Sequence, residues 1–315
     1  MKAFGLPEEG SRATFLEIPI PEPGPGEVRV RVRASSVNGW DVFVASGAAK
    51  GTIEHRYPVV VGKDYAGVVD AVGEGVTRFA FGDEVAGIAP PEQVLSSGSY
   101  AESLVVPAEG FIEPKPAGLS FEQAASVGLA ALTAVVAVDA VGVREGSVVL
   151  VAGATGGVGT YAVQLAATRG ATVIATALLT DEAWIRSLGA TEVIDYTGEV
   201  LSAVRDAHPD SVNALIDAVN RGDVHAALAK LVKDGGKVAT TTGAADEEAL
   251  AKRGISASNV FWGADPSPFG RVVQMAAEGK LQVPITKTYA FDQLPEALGL
   301  VGSRSSRGKF AITIT

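Results

Sequence analysis

Val148-Val149-Leu150-Val151-Ala152-Gly153-Ala154-Thr155-Gly156-Gly157-Val158-Gly159-Thr160 is the stretch that decides the fold. Its leading apolar residues predict a short buried strand and its glycines a tight turn. Tyr161-Ala162-Val163-Gln164-Leu165-Ala166-Ala167 then predicts a helix. A strand, a Gly-rich turn and a helix N-terminus in that order form an anion site. The N–H groups of the first helical turn and the helix dipole both favour a pyrophosphate. Gly156 lets the backbone approach the phosphates, and Gly159 lets the helix pack on the strand. The strict G-x-G-x-x-G spacing fails at its first place, where Ala154 stands. Any tight strand-to-helix connection also favours glycine, so context carries the reading. Gly170 and the strand-like Ala171-Thr172-Val173-Ile174-Ala175-Thr176 follow and complete a βαβ unit. The stretch reads as dinucleotide-binding ahead of a purely structural turn.

The 315 residues suit two domains, and a 47% hydrophobic content allows a sizeable core. A net charge of −10 argues against nucleic acid or an anionic membrane as partner. With no cysteine there are no disulfides, thiolate zinc sites, iron–sulfur clusters or cysteine nucleophile, which suits a cytoplasmic protein. Met1-Lys2-Ala3-Phe4-Gly5-Leu6-Pro7-Glu8-Glu9 has no signal-peptide apolar region. The apolar run Val127 to Val138 contains Thr133 and meets Asp139. It is too short to span a bilayer and predicts a buried helix.

Residues 1–118 read as β-rich. Pro19 to Gly26 is a connector, and Glu27-Val28-Arg29-Val30-Arg31-Val32-Arg33 alternates with the period of a strand with one wet face. Val59-Val60-Val61 and Gly67-Val68-Val69-Asp70-Ala71-Val72-Gly73 add short strands, and Gly82-Asp83 marks a turn. Together they predict a barrel-like β domain. Ser120 as N-cap with Gln123 three residues on opens a helix. From there helix-like and strand-like segments alternate to about 261, the pattern of a doubly wound parallel sheet. Asp265-Pro266 opens another helix, and Val283-Pro284-Ile285-Thr286 and Phe310-Ala311-Ile312-Thr313-Ile314 return to β character. The expected architecture is α/β, with a parallel sheet domain at 119–264 inserted into a β-rich domain made of 1–118 and 265–315.

A set of short motifs shares one order and spacing with a known family. They are Ser36-Val37-Asn38-Gly39-Trp40-Asp41, Gly62-Lys63-Asp64-Tyr65-Ala66-Gly67-Val68-Val69, Val72-Gly73-Glu74-Gly75-Val76, Gly82-Asp83-Glu84-Val85 and Gly98-Ser99-Tyr100-Ala101-Glu102. The turn from Ala154 to Gly159, Leu188-Gly189-Ala190 through Ile194-Asp195-Tyr196, and Arg307-Gly308-Lys309 complete the set. In this the chain resembles, over essentially its whole length, the zinc-free quinone oxidoreductase (zeta-crystallin-like) branch of the medium-chain dehydrogenase/reductase superfamily. The resemblance implies a GroES-like catalytic domain carrying an inserted Rossmann domain, a nicotinamide cofactor and a homodimer through the cofactor domain. Zinc members hold catalytic metal with a cysteine after the early strand and a histidine in a Gly-His-Glu motif. The matching places here are Asn38 and Lys63, with Asp64 third. Amide and ammonium replace the thiolate and imidazole that zinc wants. The structural four-cysteine lobe is missing too, and His55, His208 and His225 lack ligand-like spacing and read as surface or capping residues. No zinc is expected. Without a Lewis acid, alcohol activation is difficult. Hydride delivery to a quinone or an α,β-unsaturated carbonyl, already electrophilic, needs no metal.

The resemblance puts Asn38 beside the nicotinamide and the acceptor, whose oxygen its amide would hydrogen-bond; asparagine is equally a turn residue. Asp41 would orient its neighbours. Lys63 either offers positive charge to a developing enolate or hydroquinone anion or is a solvated turn lysine. Thr133 matches a position on the nicotinamide side, or is a helix threonine bonded to a backbone carbonyl. Ala154, Thr155, Gly156, Gly157, Val158 and Gly159 would take the pyrophosphate, and Ala218 and Thr241 complete the implied cofactor contacts. Thr176-Ala177-Leu178, at the end of the second strand, has no carboxylate for the ribose hydroxyls, which favours NADPH over NADH. Tyr196 and Arg304 match the family's phosphate-side partners, although Arg304 reads equally as a surface residue. A family lysine in the following loop is replaced by Asp181 and Glu182, for which Arg186 could compensate.

On the acceptor side, Phe43 stands where a tyrosine is common and Ala45 near the place of an arginine. Ala49 replaces an enoyl-reductase tyrosine two residues after Gly47. That change removes a general acid and leaves Tyr57, Tyr65 or water as proton source. The expected function is an NADPH-dependent, zinc-independent quinone reductase acting on a small-molecule electrophilic acceptor, with no nucleic-acid or membrane partner. The alternatives are an alkenal or enone double-bond reductase, and an NADPH-binding sensor or structural protein with little catalysis.

Overall fold

The computed structural model describes residues 1–90, 94–262, 265–303 and 306–315. The chain begins with β1 (Lys2–Leu6), β2 (Thr14–Glu17), β3 (Glu27–Ser36), the short helix α1 (Gly39–Ala45), β4 (Glu54–His55), β5 (Val59–Val60) and β6 (Asp64–Val72). β7 (Glu84–Ile88), β8 (Val94–Leu95), β9 (Ser103–Pro107) and β10 (Ile112–Pro114) lead into helix α2 (Phe121–Ala140). β3 forms as its alternation dictates: Val28, Val30 and Val32 are buried, while Arg29 on the wet face is held by Asp70 and Glu22 at 2.7 and 2.9 Å. Ser120 and Gln123 cap α2 reciprocally, Gln123 N donating to Ser120 Oγ at 3.1 Å and Ser120 N to Gln123 Oε1 at 3.0 Å. α2 has the length and hydropathy of a membrane span, yet most of it is buried in the protein as a core helix.

Next come β11 (Val148–Ala152), α3 (Gly157–Thr168), β12 (Thr172–Ala177), α4 (Glu182–Ser187), β13 (Glu192–Asp195), α5 (Val200–Ala207), β14 (Val212–Asp217), α6 (Gly222–Ala229), β15 (Val232–Thr240), α7 (Glu247–Ala251) and β16 (Ser256–Asn259). The chain ends with α8 (Ser267–Ala277), β17 (Ile285–Ala290), α9 (Leu294–Leu300) and β18 (Lys309–Thr313). β17 starts later than the sequence suggests because Pro284, with no N–H, ends the preceding segment.

β11 to β16 form one parallel six-stranded sheet in the order β13-β12-β11-β14-β15-β16. Its core is apolar, with Leu150, Ile174, Leu215 and Val238 at most 1% exposed. Strand order reverses at β11, which has β12 on one side and β14 on the other. In such sheets the crevice outside the carboxyl ends at the reversal is where ligands bind. In the β-rich part, β3 is the hub and pairs antiparallel with β6, β9 and β18.

The chain divides into one unit of Met1–Leu129 with Ala264–Thr315 and another of Ala130–Gly263. The first division thus falls inside α2, not before it at 118/119. The helix breaks at Gly128 (φ −27°, ψ −119°), where a Cβ would sit 2.1 Å from Asp64 Oδ1. Leu129 N donates to that same oxygen at 2.7 Å, so the opening turns of α2 belong with β6.

Candidate functional site

In the second unit the turn between β11 and α3 is built by three glycines with different jobs. Gly153 has φ +78°, which few L side chains adopt. At Gly159 a Cβ would lie 2.1 Å from Gly153 O, so only glycine lets α3 close on β11. Gly156 is the N-cap of α3, extended and without a side-chain cap. A Cβ there would meet only Gly153 O, at 3.5 Å, among the described residues. The protein's own packing does not require glycine at 156; the open side faces outward from an uncapped helix N-terminus. Thr155, Gly156, Gly157 and Val158 are half-buried, while Ala154 is buried. Thr176, at the end of β12, accepts a hydrogen bond from Gly153 N at 3.1 Å and so braces the turn.

β14 supplies the other edge of the reversal. Ala218 N donates to Ala152 O at 3.0 Å, and Thr241 N to Asp217 O at 3.1 Å, so both implied contacts lie at the strand ends around β11. Between them is Asp217, wholly buried. Its Oδ1 accepts from Val219 N (3.1 Å), Asn220 N (2.9 Å) and Asn220 Nδ2 (3.1 Å), and its Oδ2 from His225 Nδ1 (2.8 Å). Burial pushes the Asp217 carboxyl up, but His225, Asn220 and Val219 outweigh it and hold it below the usual carboxylate range. His225 is therefore not a surface or capping residue: it is 2% exposed, because the first turn of α6 folds back over the end of β14. His208 does cap α5, with Nε2 3.0 Å from Glu192 Oε1, and His55 is half-buried against the Ile53 carbonyl at 2.7 Å.

At the far end of β12, Ala177 is buried and no carboxylate follows directly. Asp181 is buried, and Glu182 accepts from Arg186 Nε at 2.9 Å. Arg186 Nη1 also donates to the Thr191 carbonyl, so that guanidinium is committed within its own helix and loop. Tyr196 follows β13 and is 40% exposed. Thr133 is buried in α2. Arg304 lies outside the described residues.

In the first unit, three neighbouring strands bring together residues far apart in sequence. β3 runs into Asn38, the N-cap of α1; β6 begins at Asp64 and β18 at Lys309. Lys309 Nζ donates to Val37 O at 2.9 Å and Asn38 Oδ1 at 2.6 Å, and lies 3.5 Å from Asp64 Oδ2. Asn38 Nδ2 donates to Asp64 Oδ2 at 2.8 Å and Asp41 Oδ2 at 3.2 Å. Ser36 Oγ (2.5 Å) and Leu129 N (2.7 Å) complete Asp64, while Tyr100 OH (3.0 Å) and Asn38 N (2.9 Å) donate to Asp41. Chemistry fixes the Asn38 amide orientation, since a flip would set oxygen against carboxylates and N–H against ammonium. Both amide hydrogens are thus turned inward, so the donation to an acceptor oxygen expected of Asn38 is not available in this arrangement.

Burial pushes the Asp41 carboxyl up, Asp64 repels its charge further, and Lys309, Tyr100 and Asn38 only partly compensate; it titrates at about 7. Burial holds Lys309 below the usual lysine range despite the two carboxylates. Lys63 is not a solvated turn lysine: it is 4% exposed, with Nζ on the Pro90 carbonyl at 2.9 Å. Tyr65 is wholly buried, which removes it as a proton source for an acceptor.

A domain model described as alcohol dehydrogenase GroES-like matches residues 24–117, and one described as zinc-binding dehydrogenase matches 188–312. The chain is 30% identical to the mitochondrial NAD(P)H oxidoreductase RTN4IP1 of Bos taurus, over 89% of this chain and 80% of that protein. It belongs to the quinone oxidoreductase-like family of medium-chain dehydrogenases/reductases. The quinone oxidoreductase of Coxiella burnetii superposes with a TM-score of 0.90 at 28% identity, covering 100% of this chain and 99% of that one. The 2-methylene-furan-3-one reductase of Solanum lycopersicum is 36% identical over 67% of this chain and 53% of that protein.

Many medium-chain dehydrogenases carry catalytic zinc; the donor set here does not fit it. The Asn38 oxygen faces an ammonium, Lys63 offers only N–H donors, and the Asp64 oxygens are taken by Ser36, Asn38, Leu129 and Lys309. In this oxidoreductase Lys309 is the residue that reading the sequence missed as part of the site. One signal was present. Lys309-Phe310-Ala311-Ile312 is a buried strand run led by a cation, and a buried cation demands an anionic partner.

Proposed function

We propose that this oxidoreductase uses NADPH, without zinc, to reduce a quinone or a related electrophilic carbonyl. When bound, the reduced nicotinamide supplies the hydride. The observation that carries the reading is the turn at 153–159: an uncapped helix N-terminus whose Gly156 has space that no packing demand explains. Thr176 holds the turn in place, and no carboxylate directly follows β12 at the place where one would bind the ribose hydroxyls of NADH. The Asn38–Asp64–Lys309 cluster supports a reaction without zinc, because a buried ammonium and its partners take up the oxygens that a metal would need. The likeness to the tomato reductase favours a second reading, reduction of an enone double bond. A panel of quinones, enals and enones, followed by loss of NADPH absorbance, tests both. Turnover of quinones alone supports the first reading, and turnover of enones alone the second. Nucleotide binding without turnover of either supports a sensor. The proposal includes a homodimer through the second unit, which light scattering on the purified protein checks.

A further inference from the structure

We infer that His225 is a positioning residue for the dinucleotide, acting through Asp217 on the turn between β14 and α6. The inference rests on the reading that the nucleotide lies at the carboxyl end of β11. That turn abuts the phosphate turn: a Cβ on Gly153 would sit 3.0 Å from Val219 Cγ1 and 3.7 Å from the Ala218 carbonyl carbon. Val219 is 58% exposed, an apolar side chain standing over the first glycine of the phosphate turn. Its backbone is set by Asp217 Oδ1, which accepts from Val219 N and Asn220 N. Thr242 Oγ1 ties down the other side of the turn by donating to Asn220 O at 2.7 Å.

The carboxylate can act as this anchor only if its plane is fixed. Oδ2 does the fixing, and among the described residues it accepts from His225 Nδ1 alone. Both side chains are buried, at 2% and 0% exposure, so water does not readily replace a lost donor. Removing that donor frees Asp217 to rotate or take a proton, and the turn carrying Ala218 and Val219 loses its fixed position. A nucleotide must then order the turn as it binds, which lowers affinity.

The test measures NADPH dissociation constants and thermal midpoints for the parent, His225→Leu, His225→Asn and His225→Gln. The asparagine amide reaches the place of Nδ1 and the glutamine amide the place of Nε2, so the two polar variants differ chiefly in where the donor stands. His225→Leu and His225→Gln should weaken NADPH about tenfold, the scale of one charge-assisted hydrogen bond. His225→Asn should recover most of that loss, and the pair His225→Asn and His225→Gln decides the matter even where His225→Leu does not fold. Equal affinity for the asparagine and glutamine variants overturns the inference. So does lowered thermal stability with unchanged affinity, which makes His225 a structural residue only. A parent that binds neither NADPH nor NADH fails differently: it overturns the proposed function, and this inference with it.

Discussion

Replacing Lys309 by methionine tests the buried cluster directly. Methionine keeps much of the length and apolar volume and deletes the charge and all three donors. Val37 O and Asn38 Oδ1 lose donors at 2.9 and 2.6 Å, and Asp64 loses a counter-charge at 3.5 Å. Breaking a buried ion pair by removing one partner costs about 3–5 kcal/mol. Each buried acceptor left without a donor costs about 1–3 kcal/mol. These do not add, because Asp64 keeps Ser36, Asn38 and Leu129 as donors. The expected loss is about 4 kcal/mol at pH 8, a large share of the ~5–15 kcal/mol by which domains are stable. The assay is urea unfolding followed by tryptophan fluorescence, repeated at pH 5. Asp41 already holds its proton more readily folded than unfolded, and without the ammonium, which favours its charged form, it does so further. Folded protein then binds more protons than unfolded protein, so the variant gains stability as pH falls and its deficit narrows. Adding Asp64→Asn should restore part of the loss by removing the second charge. A deficit below about 1 kcal/mol at pH 8, or one independent of pH, would refute the reasoning.

Asp41→Asn should flatten the pH dependence of stability. The Asp41 carboxyl titrates at about 7 when folded and near 3.9 when unfolded, so its contribution is full below about 4 and is lost as pH rises through 7. The variant should gain on the parent across that window, and parallel stability curves would count against it. Gly156→Val should retain the fold, since a Cβ there has 3.5 Å of clearance, yet weaken NADPH at least about tenfold. Gly159→Ala, with Gly153 O only 2.1 Å from its Cβ, should instead lower the thermal midpoint; the reverse pattern would show that the roles of the two glycines are exchanged. Hydride transfer should survive exhaustive chelation, and elemental analysis should find less than stoichiometric zinc; loss of zinc and activity together would overturn this.

Local pattern carried the fold. The period-2 valines made β3, Ser120 and Gln123 announced the start of α2, and the glycine turn after Val151 fixed the βαβ unit and with it the parallel sheet. The dinucleotide turn was legible for the same reason, because all its residues are consecutive. The cluster around Asp64 was not. Its members converge only through the β18-β3-β6 pairing, which places residue 309 beside residue 38, and no local pattern encodes that register. The same carboxylate moved the first division of the chain into α2, because a side chain of β6 caps the helix from outside. His225 was misread because helical spacing shows which face of α6 it occupies but not that this face closes over Asp217.

Lys309 also sets a chronology. Asp41 and Asp64 leave the ribosome early, whereas the cation that balances them is made only after the whole second unit. That unit, contiguous from Ala130 to Gly263, has all six strands of its sheet in hand before then. The first unit must wait for β18 both to flank β3 and to deliver its ammonium. Without that ammonium Asp41 and Asp64 can be enclosed only by binding a proton or by leaving a charge unbalanced. An exchangeable metal would arrive by diffusion whenever its ligands were ready. A tethered cation arrives only with its own strand, so the charge balance of the cluster is tied to the docking of β18 on β3.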